Sequence, residues 1–553
     1  MLDFSTIEAD RAARRAYWRE RGVYTDRSYA DAIRDGVKAG PQQKLIFHSR
    51  VRPSIGTVAE LDQEAERIAS AFHKLGLRCG DYIAVMLPSW RETALAYLAA
   101  YKIGLAVVPL VAVYGARELG FIMRETKAKA LVIPDQWRGF DYLERVEDAG
   151  KLPELRHLIV VGEARREDFV NWAQLDTSET TYPGPAGIAD EVCLVIYTSG
   201  TTSDPKGVKH THNTLLCDLN AEGARGAAPG MHTPPSGPSF GMQPAGHMAG
   251  FLTIMRPFVS PGSDTVFIDQ WLPQDAARLV ETYGIASTAS PPIFLTTLID
   301  AAAEIGADIS SLKSFGLGGS AVSPETIRLA DSLGLQGWRV YGMSEHPNVS
   351  LATGDDFEKR AFTDGKLTPR NEVMIVDEGG RETPPGQPGE VCTRGPRLFV
   401  GYVNSELDRH CFLPGGWYRT GDIGTFDADG YLTITDRMKD IIIRGGENIS
   451  AKEIEDHLAS MPGVKESAAV AMPDEVMGER VCAFVLTSPG VDVTLGSVTA
   501  YFRSKGIVRL KTPERVIVVE EFPRTPTGKI RKNELRDRLR AEFAGGPATR
   551  EGS

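Results

Sequence analysis

The stretch Tyr197–Val208 reads YTSGTTSDPKGV, and the rest of the chain is best interpreted outward from it. It follows the apolar run Cys193-Leu-Val-Ile-Tyr197, whose length and β-branched content predict a buried strand. Thr198, Ser199, Thr201, Thr202 and Ser203 then cluster hydroxyls around Gly200, and Asp204-Pro-Lys-Gly207 closes the segment. Hydroxyls and free backbone N–H groups ending in Lys206 suit an anionic polyphosphate, which the donors can wrap and the cation can neutralise. A plain Ser/Thr/Gly surface loop has the same composition. The strand directly before this one and its Pro-Lys-Gly ending favour phosphate. It is not a Walker loop, which needs Gly-Lys-Ser/Thr, because Lys206 stands between Pro205 and Gly207.

Around this loop, strand and helix patterns alternate. Thr57-Val-Ala-Glu60 is a capping box ahead of a helical pattern to Leu75. Strands are expected at Tyr82–Leu87, Ala106–Leu110 and Ala130–Ile133, with helices at Trp90–Ile103 and Ala116–Glu125. After the loop come a helix near 272–283, a strand near Ser287–Ala289 and a helix over 292–303. A strand over 314–317, a helix over 324–333 and a strand over 337–340 follow. Such alternation predicts parallel sheets covered by helices. Residues 1 to about 56 read as an appendage of short helices. Beyond about residue 370 the segments Glu372–Val376, Gly389–Arg394 and Tyr431–Ile434 are short, β-rich and broken by Gly and Pro, as in a small antiparallel sheet or barrel. A last unit alternates strands at Ile441–Arg444, Val464–Met472 and Arg480–Thr487 with helices at Ala451–Met461 and Leu495–Lys505. The tail Ala544–Ser553 is expected to be disordered.

The chain has 553 residues, enough for more than one core. A net charge of -11 argues against non-specific nucleic-acid binding, which needs a basic face. The six cysteines show no CxxC pairing, which favours a reducing compartment over a disulfide framework or zinc site. The start MLDFSTIEADRAARRAYW is charged throughout and lacks a signal-peptide core, and no apolar run is long enough to span a bilayer. A cytoplasmic location is the expectation, and the sequence admits a homodimer.

Further motifs follow in order. Leu317-Gly-Gly-Ser-Ala321 ends a predicted strand, where α/β sheets present ligand crevices. Val322 stands where a nucleophile elbow needs glycine. Tyr341-Gly-Met-Ser-Glu345, Gly416-Trp-Tyr-Arg-Thr-Gly-Asp422, Asp436-Arg-Met-Lys-Asp440, Ile442-Ile-Arg-Gly-Gly-Glu-Asn448 and Pro523-Arg-Thr-Pro-Thr-Gly-Lys-Ile-Arg-Lys532 come next. A carboxylate such as Glu345 beside a polyphosphate needs a cation between them, and Mg²⁺ takes oxygen ligands of this kind. Asp422 can accept two hydrogen bonds at once, which suits the cis-diol of a ribose.

With these motifs in this order, the chain resembles the adenylate-forming superfamily of acyl-CoA synthetases, aryl-acid ligases and luciferases. The segment Trp137-Arg-Gly-Phe-Asp-Tyr142 is similar to stand-alone short/medium-chain and cyclohexanecarboxylate-CoA ligases. Arg19-Glu-Arg-Gly-Val-Tyr24 is similar to siderophore-type aryl-acid ligases. The family usually carries Gly where Ser203 stands, so a stiffer loop is expected here.

The resemblance implies an α/β fold. A large N-terminal adenylation domain of mixed or parallel sheets and a β-barrel-like subdomain would span 1–438, and a small mobile α+β domain 439–553, hinged near Lys439. It implies ATP, Mg²⁺ and coenzyme A as cofactors or substrates. Catalysis would fall to Lys529, Glu345, Thr198 and Lys206, with Glu345 on the metal. The nucleotide would be bound by Thr198, Ser199, Gly200, Thr201, Thr202, Lys206, Gly319, Ser320, Tyr341, Gly342, Met343, Ser344, Asp422, Arg437 and Lys529. His247, Met248, Gly250, Gly318 and Met343 would form the acyl pocket, and Gly445, Gly446 and Lys511 would meet CoA.

The expected reaction converts a carboxylic acid and ATP to acyl-AMP and pyrophosphate, then to acyl-CoA and AMP. Delivery to a carrier protein is the alternative acceptor, and a non-catalytic nucleotide-binding protein is the remote one. Pro244-Ala-Gly-His-Met-Ala-Gly-Phe251 holds no acidic residue to meet a substrate ammonium, so an uncharged acyl or aryl group is expected. Fatty, alicyclic, aromatic and steroid-side-chain acids all stay open.

Overall fold

The computed structural model describes residues 2–175, 181–185, 187–198, 205–220 and 235–544. The expected tail disorder, Ser203 and the loop residues Ser199, Gly200, Thr201 and Thr202 lie outside them. Among the described residues no helix is long and apolar enough to cross a membrane.

Two large sheets carry the N-terminal part. The first has seven strands in the order Lys206–Thr211, Val192–Thr198, Ala106–Pro109, Tyr82–Val85, Ala130–Pro134, His157–Val161 and Val170–Asn171. Its strands are parallel except Lys206–Thr211, which returns antiparallel beside Val192–Thr198. Helix Arg91–Lys102 buries ten consecutive residues, Thr93 to Lys102, as expected of a helix enclosed on every side. Its neighbour Val58–Lys74 begins with the expected capping box, Thr57 Oγ1 accepting from Glu60 N while Glu60 Oε2 accepts from Thr57 N.

The second sheet has nine strands, ordered Lys366–Leu367, Ser350–Ala352, Gln336–Tyr341, Ser314–Gly318, Ser287–Ser290, Ser239–Gly241, Thr265–Ile268, Lys44–His48 and Ser54–Thr57. Its middle is parallel and its edges antiparallel. This corrects the reading of residues 1–56 as an appendage of short helices. Phe4–Glu20 is one 17-residue helix, and Lys44–His48 is a strand inside the sheet, register-paired with Thr265–Ile268. Leu45, Ile46 and Phe47 are buried by that distant partner, which local pattern does not reveal.

A five-stranded antiparallel sheet follows, in which the long strand Trp417–Phe426 pairs with Gly389–Arg394 on one side. On its other side it pairs with Phe412–Leu413 and then Leu432–Arg437. From Ile442 a smaller C-terminal domain has its own sheet, built on Val464–Asp474 and Gly478–Thr487. Its two apolar clusters centre on Ile454, Leu458 and Phe502 and on Phe484, Phe522 and Leu539. The architecture is thus a large α/β N-terminal part with a small α+β domain after it.

Candidate functional site

Parallel pairing brings strand ends to one edge. The partners Ser290↔Leu317 and Gly318↔Val340 set Gly319, Ser320 and Tyr341 side by side where the sheet stops. Polar groups exposed there are the usual ligand contacts of such sheets. In the first sheet Thr198 and Lys206 are register partners on the antiparallel strands that flank the Ser199–Thr202 segment in sequence.

Glu345 sits in the turn after strand Gln336–Tyr341, and Gly342 makes that turn possible. A Cβ on Gly342 would lie 2.6 Å from the backbone nitrogen of Asn348, and the chain closes through Met343 N to His346 O and His346 N to Met343 O. His346 is buried between Thr393 Oγ1 at 2.8 Å and Asn371 Oδ1 at 3.0 Å, and burial brings its pKa down to about 3. Neutral His210 bonds the Ser344 carbonyl at 2.8 Å from below. The turn is therefore held from beneath by two uncharged imidazoles. Met343 packs on the Phe399–Tyr402 aromatic cluster.

Glu345 is 9% exposed, and its Oε1 accepts a 2.8 Å hydrogen bond from the Tyr402 hydroxyl. Among the described residues no Lys or Arg stands within ion-pair distance of it. A buried carboxylate left without a counterion fits a divalent cation. Among the described residues no cluster of three His, Cys, Asp or Glu exists, so such an ion would complete its shell with phosphate oxygens and water.

Asp422 and Arg437 are register partners on neighbouring strands. Asp422 is 3% exposed; its Oδ2 accepts from the Tyr341 hydroxyl at 2.8 Å and its Oδ1 meets Arg437 Nε at 2.9 Å. Each carboxylate oxygen keeps a second lone pair for a ligand hydroxyl.

Lys529 comes from the C-terminal domain. Thr525 N donates to Lys529 O at 2.8 Å, and Lys529 N donates back to Thr525 Oγ1 at 3.1 Å, fixing a tight turn. The turn touches the large domain: a Cβ on Gly528 would lie 2.9 Å from Ile293. Lys529 Cε lies 3.8 Å from where a Gly319 side chain would begin. Burial first, then Arg437 and Lys439, bring its ammonium pKa down to about 8, with Asp422 and Glu345 pulling the other way. Burial and the same ammonium bring His247 down to about 4, so it stays neutral. His247 caps the helix Met248–Val259 by accepting from Ala249 N at 3.4 Å, and Met248 is buried beneath it. Thus Lys529, Gly319, His247, Asp422, Arg437 and Glu345 face one space.

Other expected residues lie elsewhere. Gly250 turns its bare face onto the Pro244 carbonyl, so helix packing requires glycine at this position. A Cβ on Gly318 would strike Val340 at 2.5 Å, so Gly318 is likewise needed for strand packing. Lys511 pairs with Glu453 at 2.6 Å on the surface of the small domain. Gly445 and Gly446 form the two-residue tip of an exposed hairpin, both with positive φ, and Gly445 N donates to the Met477 carbonyl of its own domain at 2.8 Å. Lys439 lies in the short 3₁₀ turn Met438–Asp440, its carbonyl accepting from Arg536 at 2.9 Å while Arg536 also pairs with Asp440 at 2.7 Å. Burial and Arg437 bring the Lys439 pKa down to about 8.

Sequence reasoning missed Tyr402 and Tyr418, whose hydroxyls meet at 3.0 Å behind Glu345. It also missed the N-terminal helix as a support: Arg11 pairs with buried Asp408 at 2.6 Å, and Arg14 donates to the Phe399 carbonyl at 2.9 Å. The Gly401-Tyr402 dipeptide looks like an ordinary turn, and its partners are remote in sequence.

Comparison with known proteins agrees with this geometry. Residues 39–403 match the AMP-binding enzyme family and residues 453–529 the AMP-binding enzyme C-terminal domain. The chain is 34% identical to a medium-chain fatty-acid–CoA ligase of Escherichia coli, over 95% of this chain and 92% of that one. It is 32% identical to a salicyl-AMP ligase / salicyl-S-ArCP synthetase of Mycobacterium tuberculosis, over 99% and 96%. The crystal structure of the anthranilate CoA ligase AuaEII with anthranoyl-AMP shares the fold, with a TM-score of 0.82 over 94% of this chain and 98% of that one at 22% identity. From family match, relatives and fold together, this chain belongs to the AMP-binding enzymes and is an adenylate-forming ligase.

Proposed function

We propose that the chain is an ATP-dependent acyl-CoA synthetase for an uncharged carboxylic acid. The observation that carries this reading is the entry of Lys529, from the small domain, into the space bounded by Gly319, Asp422, Arg437 and Glu345. Polar groups of two domains converge on one another, which suits an in-line attack that must be assembled and then dismantled.

In the first half-reaction a carboxylate oxygen attacks the α-phosphorus and pyrophosphate leaves. Catalysis is then mainly positioning and stabilisation of charge on the phosphoryl oxygens. Lys529 would bridge the carboxylate and α-phosphate oxygens, and Lys206 with the Thr198–Thr202 segment would hold the β- and γ-phosphates. Asp422 and Arg437 would bind the ribose, while Gly319, Ser320 and Tyr341 to Ser344 would border adenine and phosphate. Mg²⁺, when bound, would neutralise phosphate charge on Glu345. Neutral His247 and Met248 would line the acyl side; an unprotonated imidazole beside Lys529 neither repels that cation nor competes with it for the carboxylate.

In the second half-reaction a thiolate attacks the acyl carbon and AMP leaves. Lys529 would block that approach, so the domain after residue 438 would turn about Lys439. The turn would withdraw Lys529 and bring the exposed Gly445–Gly446 hairpin forward. A short 3₁₀ turn at Met438–Asp440 suits such a pivot. Lys511 keeps its ion pair with Glu453 and is the weakest of the CoA assignments.

CoA is favoured over a carrier protein by the fatty-acid–CoA ligase relative. The salicyl-AMP ligase relative, which matches 99% of the chain, supports carrier loading as the second reading. Acid-dependent ATP–pyrophosphate exchange over a panel of acids, followed by AMP release with CoA or with a carrier domain, separates the two. Lys529→Ala should lose exchange by ~10²–10³-fold yet pass acyl groups from supplied acyl-AMP to CoA. Equal loss of both half-reactions would sink the assignment.

A further inference from the structure

Lys206 opens a strand of one sheet and Glu345 lies in the turn after a strand of another, yet one side chain touches both. Tyr402 is 1% exposed. Its hydroxyl donates to Glu345 Oε1 at 2.8 Å and meets Tyr418 at 3.0 Å, and Lys206 Nζ lies 5.5 Å above its ring centroid. Other buried tyrosines in this chain, Tyr24, Tyr97 and Tyr142, donate to backbone carbonyls. Tyr402 is different: it donates to the one buried carboxylate proposed to meet a metal.

The backbone repeats the linkage. Val400 N donates to Lys209 O at 2.9 Å and Val403 N to Gly207 O at 2.8 Å, so residues 400–403 extend the Lys206 strand. Phe399 N donates to Glu345 O at 2.8 Å. Tyr402 N donates to Asp408 Oδ1 at 2.9 Å, and Asp408 Oδ2 is held by Arg11 of the N-terminal helix. Burial and the facing carboxylate push the phenol pKa upward, so the hydroxyl stays a donor.

We propose that Tyr402 is a positioning residue that holds the Glu345 carboxylate and the Lys206 ammonium in register for a magnesium-bound triphosphate. It acts through those two groups without touching substrate, and the inference rests on the roles proposed for them above. Tying Oε1 restrains the carboxylate and would leave Oε2 to meet the cation. The cation–π contact restrains Lys206 on the opposite side. Partners placed behind metal ligands in this way typically change metal affinity by about 10–100-fold when removed.

The test is equilibrium binding of a non-hydrolysable methylene analogue of ATP, followed by calorimetry as Mg²⁺ is varied. Tyr402→Phe keeps the ring and removes the hydroxyl; Glu345→Gln, the double variant and Tyr418→Phe complete the set. Tyr402→Phe should raise the Mg²⁺ concentration for half-maximal binding about tenfold, at the low end of that range. In the Glu345→Gln background the same change should add almost nothing. Tyr418→Phe, which leaves Tyr402 whole but removes its partner, should shift Mg²⁺ demand the same way by less, and decides the matter if Tyr402→Phe does not fold. An altered Glu345→Gln with an unaltered Tyr402→Phe overturns the positioning role alone, as does an equal loss in both backgrounds. An unaltered Glu345→Gln overturns the metal assignment and the positioning role with it.

Discussion

Binding of ATP should draw a proton onto Lys529. The free ammonium is buried beside Arg437 and Lys439, and its pKa comes down to about 8 from the ordinary 10.5. A triphosphate set against it reverses both effects, replacing lost water with anionic oxygens and screening the neighbouring cations. With the pKa restored to its ordinary value in the complex, the side chain at pH 9 goes from about one-tenth to almost fully charged, an uptake of about 0.9 proton. The sign follows from linkage. The bound state holds more protons between pH 8 and 10.5, so affinity falls as pH rises through that window, approaching tenfold, or about 1.4 kcal/mol, per pH unit. Below pH 8 both states are charged and the effect disappears.

The assay is calorimetric titration of the ATP analogue with Mg²⁺ at pH 7 and pH 9 in buffers of differing ionisation enthalpy, whose slope counts protons. The expected slope is near zero at pH 7 and near one at pH 9. Lys439 shares the low pKa of about 8, so it would add an uptake of its own that survives in Lys529→Met. The difference between wild type and Lys529→Met isolates Lys529. An identical proton count in the two proteins would refute the placement of Lys529 against phosphate, whatever the activity.

Two further outcomes follow from packing. Gly342→Ala puts a Cβ 2.6 Å from the Asn348 nitrogen, backbone against backbone, and should cost about 1–3 kcal/mol with a lower Tm and weakened exchange as the Glu345 turn is displaced; an unchanged Tm would show that the turn relaxes freely. Arg11→Met strands Asp408, whose side chain is 1% exposed, and should lower stability by about 3–5 kcal/mol in urea unfolding; an unmoved midpoint would mean that the N-terminal helix does not clamp the site.

What the sequence displayed was whatever depends on neighbours along the chain. Thr57 and Glu60 sit three apart and cap each other across one turn, so the helix start is visible in the letters. The runs at 82–85, 106–109 and 314–318 are buried on both faces and show as unbroken apolar or glycine stretches. The site motifs fall at strand ends or tight turns for the same local reason. Hidden were features created by distant partners. Lys44–His48 becomes a strand because Thr265–Ile268 lies beside it, and Lys206–Thr211 gains its outer partner from residues 400–403. Tyr402 has nothing in its immediate sequence to mark it, since Glu345, Lys206, Tyr418 and Asp408 meet it only after folding. Gly250 and Gly318 carry a second requirement that the motifs do not show: a Cβ at either would strike the Pro244 carbonyl or Val340, so packing demands glycine there whatever ligand it borders.

The charges around Lys529 also bear on why the docked arrangement would not persist. Arg437 lowers the pKa of both Lys529 and Lys439, and Lys439 lowers that of Lys529, while Asp422 opposes both shifts, Glu345 the first and Asp440 the second. Contacts across the domain boundary include the Gly528 turn against Ile293 and Phe294, helix Ala451–Ala459 on strand Leu432–Arg437, Ser450 to the Thr435 carbonyl at 3.3 Å, and an exposed Ser460–Glu325 bond at 3.3 Å. A triphosphate holds such a cluster together because each cation gains a counterion. Departure of pyrophosphate takes away most of that negative charge and leaves the cations facing the single charge of an acyl phosphate. Repulsion of Lys529 by Arg437 and Lys439 then favours its withdrawal. Product release would thereby supply the free-energy bias for the second half-reaction, with no dedicated switch beyond the lysine already needed for the first.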